Sequence, residues 1–126
     1  VEDRRSLRRS LRCGAVYDLC VGLAILIAGP SLVERFTGAP PPSLFHFHLA
    51  ALPLFLLPVF YWSAARARSI DGFRAGVLWA RLGGGGLVLL ATLLDRPVLW
   101  GVYVVVGLLD WGFGALHFGL WNRGRS

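Results

Sequence analysis

Residues 107–120, GLLDWGFGALHFGL, set Asp110 and His117 in a stretch that is otherwise apolar. A carboxylate and an imidazole seven residues apart stand two turns apart on one helix face. Together they could pass a proton, hold the polar head of a lipid-like molecule, or pair with a cation from another helix. On a wheel of 100° per residue, Tyr103, Gly107, Asp110, Gly114, His117 and Trp121 fall within an arc of about 80°. Leu108, Leu109, Gly112, Leu116 and Leu120 take the opposite side. The polar residues therefore form one seam with glycines between them, and that seam must face protein.

Two further segments carry matching seams. Gly14, Asp18, Gly22 and Gly29 align in one, and Arg74, Arg81, Gly85 and Thr92 in another. Small residues beside a single charge suit helices that pack closely around a polar centre. An ionised residue at the middle of a membrane helix costs about 2.5–3.5 kcal/mol on insertion scales. Three of them would cost on the order of 8–10 kcal/mol unless paired, so such charges pair and face the bundle interior. Arg81 is long enough to reach both acids. The expected centre is Asp18–Arg81–Asp110, with His117 beside it and Tyr103 on the same seam. Two acids against one arginine leave an excess negative charge, which a protonated His117 would balance. Such a centre could be internal glue, a site for the head of a quinone, lipid or pigment, or a proton relay.

A second set of candidates could contact a ligand or pigment. His46 and His48 in SLFHFHLA point about 200° apart on a helix, so one partner cannot take both. Interfacial boundary residues are the plain reading, with one histidine as a metal or pigment ligand the sharper one. Gly83, Gly84, Gly85 and Gly86 could form a flat floor for a ring system, with Trp111 nearby, or simply admit another helix. His117 and the His46/His48 pair belong to opposite faces of a bilayer, roughly 20 Å or more apart. A bis-histidine haem within the chain is thereby disfavoured, whereas a haem or chlorophyll shared with a partner subunit is not. There is no zinc-protease spacing, and GGGG lacks the Lys-Ser/Thr of a phosphate loop. No metal site is expected.

The elements that must position these residues are four apolar runs, about Gly14–Val33, Leu44–Ala64, Ala75–Leu94 and Val98–Trp121. Each is near the roughly 20 residues that span a hydrocarbon core of about 30 Å. The predicted fold is all-α: a polytopic membrane protein, one domain, an antiparallel four-transmembrane-helix bundle with short connections. A short basic amphipathic N-terminal arm is expected to lie on the headgroups, with Arg4, Arg5, Arg8, Arg9 and Arg12 on one side and Leu7 and Leu11 on another. It leads straight into a full-length span, which reads as a retained anchor rather than a cleaved signal. TGAPPPS should be an extended strap, and Pro53 and Pro58 should kink the second helix. Cys13 and Cys20, about 10 Å apart along a helix, cannot pair and are expected to be small buried residues.

Arginines cluster in the N-terminal segment, in the middle connection (Arg66, Arg68, Arg74) and in the tail (Arg123, Arg125). The other two connections hold only Arg35 and Arg96. Basic residues stay cytoplasmic in short loops, which places both termini inside. The net charge of +6 is then an orientation and anionic-headgroup signal, not a nucleic-acid footprint. All 13 basic residues are Arg, and with abundant Gly, Ala and Leu this usage fits a GC-rich bacterial genome. The chain thus reads as an accessory or structural subunit of a larger inner-membrane complex of respiratory or photosynthetic type. Its expected partners are membrane lipids, other membrane subunits or a second copy. The alternatives are a small membrane enzyme of quinone or lipid redox or isomerase type, or a proton-coupled transporter, using the Asp/Arg/His centre.

Overall fold

A computed structural model describes residues 2–97 and 99–123. Four helices account for nearly all of them: α1 (Glu2–Thr37), α2 (Phe45–Arg66), α3 (Asp71–Asp95) and α4 (Trp100–Arg123). All four are long and apolar enough to cross a membrane. Val98, expected to open the fourth span, and Arg125 lie outside the described residues.

The expected separate N-terminal arm is instead the first turns of α1, a helix of 36 residues and about 54 Å. Nothing between Arg12 and Gly14 breaks the helix, and Leu7 and Leu11 bury rather than lie on a surface. With Ala15 they meet Tyr61, Ala64 and Ala65 of α2, Val77 of α3 and Trp121 of α4. Burying each leucine contributes roughly 1.5–3 kcal/mol. The arginines of this stretch tie down the same end. Arg8 donates to the carbonyls of Ala65 and Ala67, at 2.5 and 2.7 Å, where α2 runs out of intrahelical donors. Arg4 pairs with Asp71 at 3.0 Å, and Trp121 Nε1 donates to the same carboxylate at 3.1 Å. Arg74 donates to Asn122 at 2.8 Å. The basic ends of all four helices are therefore knotted together.

The connection from α1 to α2 leaves through Gly38, whose φ of +74° is the left-handed turn that ends many helices. Its amide donates to Glu34 O at 2.8 Å. The prolines that follow have no helix or strand, and α2 then runs unbroken through Pro53 and Pro58. From α3 to α4 the chain turns at Arg96, which takes a left-handed φ of 43° with its amide on Thr92 O. Pro97 behind it cannot continue a helix.

Helix α3 is composite. A short 3-10 turn (Asp71–Phe73) leads into α-helix, a π turn follows over Trp79–Gly83, and α-helix resumes from Gly84 to Asp95. The glycine run begins at the last residue of this turn, Gly83, and continues into the α-helix after it, where helix preference is weak. Trp111 Nε1 donates to Leu82 O within this turn at 2.9 Å.

Helices α3 and α4 pack backbone to backbone. A Cβ on Gly85 would come 3.1 Å from Gly107 O, and one on Gly107 would come 3.2 Å from Gly85 O. The four glycines do not make a flat floor, because successive helical positions point in different directions. Gly83 meets the ring of Trp79, Gly85 and Gly86 meet Trp111, and Gly84 faces open space. The rings packed on the glycines are thus the protein's own. Cys13 and Cys20 are also not buried; both thiols are free and point outward.

This packing predicts a sharp contrast between neighbours. Gly85→Ala forces a methyl against the α4 backbone and should destabilise the bundle by about 1–3 kcal/mol. Gly84→Ala meets nothing and should gain up to about 1 kcal/mol in helix preference. Unfolding titrations of both variants in detergent micelles check the order.

Candidate functional site

Arg81 sits in the π turn of α3 and is 1% exposed, among the largest side chains to be so completely buried in this chain. A guanidinium has five N–H donors and no acceptor, so its surroundings must supply oxygen. From α1, Asp18 takes two of them: Nη1 donates to Oδ1 at 2.8 Å and Nη2 to Oδ2 at 3.0 Å. From α4, Asp110 Oδ1 accepts from Nη1 at 2.5 Å. One cation therefore bridges three helices.

The fourth helix supplies a π face. The Tyr61 ring centroid of α2 lies 4.4 Å from Arg81 Cζ. Phe113 of α4 and Tyr17 of α1 complete a cage at 5.2 and 5.9 Å. Aromatic faces attract cations, more strongly where water is excluded. Tyr17 and Phe113 also pack on each other, with centroids 5.4 Å apart.

Space for the guanidinium comes from two glycines. A Cβ on Gly14 would lie 2.7 Å from Arg81 Nη2. One on Gly114 would lie 3.3 Å from Arg81 Cβ and 2.6 Å from Leu82. Gly14 also precedes Asp18 by one turn, so the residue that makes room and the one that pairs share a face.

The two carboxylates are not equivalent. Asp18 is fully buried and holds the guanidinium with both oxygens, whereas Asp110 uses one oxygen and keeps 14% of its side chain exposed. His117 is buried on the same side of α4 but is not bonded into the network. Its ring stacks obliquely near Phe113 at 6.1 Å, and among the described residues neither nitrogen makes a hydrogen bond of ordinary geometry. Among the described residues, Tyr17 Oη, Tyr61 Oη and Arg81 Nε are likewise buried without a hydrogen bond of ordinary geometry. The centre thus combines three ionisable groups in mutual contact with a rim of polar atoms lacking such bonds.

The other sequence candidates stand apart. Tyr103 is half-buried, two turns from Asp110, and shares no hydrogen bond with the centre. His46 and His48 are exposed at the start of α2, with His46 edge-on to Phe45. Thirteen residues, about 20 Å of helix, separate His48 from Tyr61 at the level of Arg81. Trp111 is half-exposed on the flank of α4. Gly14 already stands on the Asp18 seam, whereas Tyr17, Tyr61 and Phe113 carry no sequence-level mark as site residues. The one available signal is positional: Phe113 lies three residues after Asp110 and four before His117, beside the polar seam rather than on it.

Arg81→Leu alone should destabilise the bundle by about 3–5 kcal/mol, because it abandons Asp18 as a buried unpaired charge. Removing all three charges together (Asp18→Leu, Arg81→Leu, Asp110→Leu) should recover most of that loss. Asp18→Asn should destabilise more than Asp110→Asn, since it disturbs two bonds at a sealed position rather than one near the surface. Denaturant titrations followed by Trp fluorescence read all three comparisons. A triple variant no more stable than Arg81→Leu would show that the charges do not hold one another.

No family model, no curated protein and no solved structure matches this chain.

Proposed function

We propose that this chain is a small four-span protein of a bacterial inner membrane, serving as an accessory, structural subunit of a larger membrane assembly. The observation that carries this reading is where its charges go. Arg81, Asp18 and Asp110 are engaged with one another across three helices, and two of the three are sealed from the surface. A centre built this way supports the fold first. Intramembrane polar groups also commonly set helix register.

The outer surface supports the same reading. Large apolar side chains such as Ile27, Leu56, Trp79, Leu93 and Trp100 point outward along the bundle, each at least 60% exposed. A surface of this kind suits lipid and partner helices equally. In this proposal the basic ends of the helices face the cytoplasm, with both termini, and the two connections 38–44 and 96–99 face the opposite side.

A second reading, a proton-handling or small redox or isomerase-type centre acting on a quinone or lipid head, is favoured by one specific observation. The two carboxylates exceed the one guanidinium, and among the described residues Tyr17, Tyr61 and His117 hold buried polar atoms without a hydrogen bond of ordinary geometry. Buried polar groups without partners are uncommon and frequent at working sites.

Two measurements test these readings. In mild-detergent extracts the tagged chain should migrate with a fixed set of membrane subunits, and deleting it should lower the amount of the assembled complex. A chain that migrates alone, with every membrane complex unchanged by its deletion, would overturn the accessory role. Alkaline phosphatase fused within 38–44 or at 96–99 should be active, and fused at either terminus inactive; the opposite pattern would reverse the orientation.

A further inference from the structure

We infer that the face between α1 and α2 holds one anionic phospholipid of the cytoplasmic leaflet, its phosphate on Arg12 and Arg66 and an acyl chain in the groove above them. This rests on the membrane-embedded reading of the chain. The groove is open to the surface, offers about 430 Å³, within the size range of ligand sites, and has largely apolar walls: Val16 and Leu19 of α1 face Phe55, Pro58 and Val59 of α2. It ends at Trp62, Ser63 and Arg66.

The charge at that end is what selects the occupant. Trp62 carries two guanidiniums, with Arg12 Cζ 5.8 Å and Arg66 Cζ 5.7 Å from its ring centroid. Both arginines are exposed, and among the described residues neither has a carboxylate partner. This sets them apart from Arg4, Arg8 and Arg74, which the fold uses to tie helix ends together. Arg5, Arg9 and Arg12 also share one α1 stripe with Val16 and Leu19, at spacings of four and three. The same face therefore changes from apolar to strongly basic at the level of Trp62.

A tryptophan at such a boundary marks the headgroup level of a membrane, and a basic pocket between helices there binds phospholipid heads. Guanidinium also offers paired donors to phosphate oxygens. A partner helix would fill the apolar length but leave two cations facing its own end. A zwitterionic lipid would bring an ammonium up against them. An anionic phospholipid complements both parts.

The test uses the full chain in nanodiscs of mixed composition, released and weighed by native mass spectrometry. One phosphatidylglycerol or cardiolipin should stay bound per chain in preference to phosphatidylethanolamine, and the better of the two reports whether one or two phosphates are held. Arg12→Gln with Arg66→Gln should lower that retention about tenfold or more. Arg35→Gln with Arg96→Gln removes the same charge at the far end and should leave it unchanged. Circular dichroism and melting in micelles establish that each variant is folded. No preference for anionic lipid, or equal loss in both pairs, overturns the site while leaving the membrane reading intact. Release of the unaltered chain from membranes by alkaline carbonate overturns the membrane reading and the site with it.

Discussion

A guanidinium cannot stay in an apolar interior without oxygen around it, and this bundle is arranged to satisfy that requirement for Arg81. Each helix brings something to it. Asp18 and Gly14 come from α1, the Tyr61 face from α2, and Asp110, Phe113 and Gly114 from α4. The desolvation of three ionised groups is severe, and only good geometry offsets it. That geometry demands a particular rotation and height of each helix. The ion cluster therefore acts as a register mark, where an apolar core of similar volume would allow several packings.

The glycines and the π turn are the means by which the requirement is met. Close approach of α3 and α4 at Gly85 and Gly107 brings Asp110 within reach of Arg81. The wider turn over Trp79–Gly83 sets the angle at which Arg81 leaves its helix. Single π turns are rare and recur where a helix must present a functional side chain. Trp111 then covers the glycine seam from outside and donates to Leu82 O, so the wide turn is braced by the helix it serves.

The two ends of the bundle are built on different principles. At the basic end, buried leucines, the Arg8 cap on α2 and the Arg4–Asp71–Trp121 cluster hold all four helices together. Toward the other end, glycines of α1 admit side chains of α2, as where Gly22 meets Leu54 and Phe55 and Gly29 meets Phe47. The centre at Arg81 lies between these regimes. It is deep enough to be dry, yet close enough to the basic end to be held still.

Much of the architecture was legible residue by residue. Four apolar runs, the uneven arginines, and the seams through Asp18, Arg81 and Asp110 follow from composition and a 3.6-residue period, which are properties of single helices. What the tertiary structure decided are relations between helices. It made Asp18 the two-handed partner and left His117 outside the ion network, because those outcomes depend on distances of a few tenths of an ångström across helix pairs. It also drew Tyr17, Tyr61 and Phe113 into a cage, although an aromatic in an apolar run looks the same whether it faces a cation, a helix or lipid. The basic arm became part of α1 because Leu7 and Leu11 found buried neighbours on three other helices, and a local pattern of charge and leucine cannot say whether such neighbours exist.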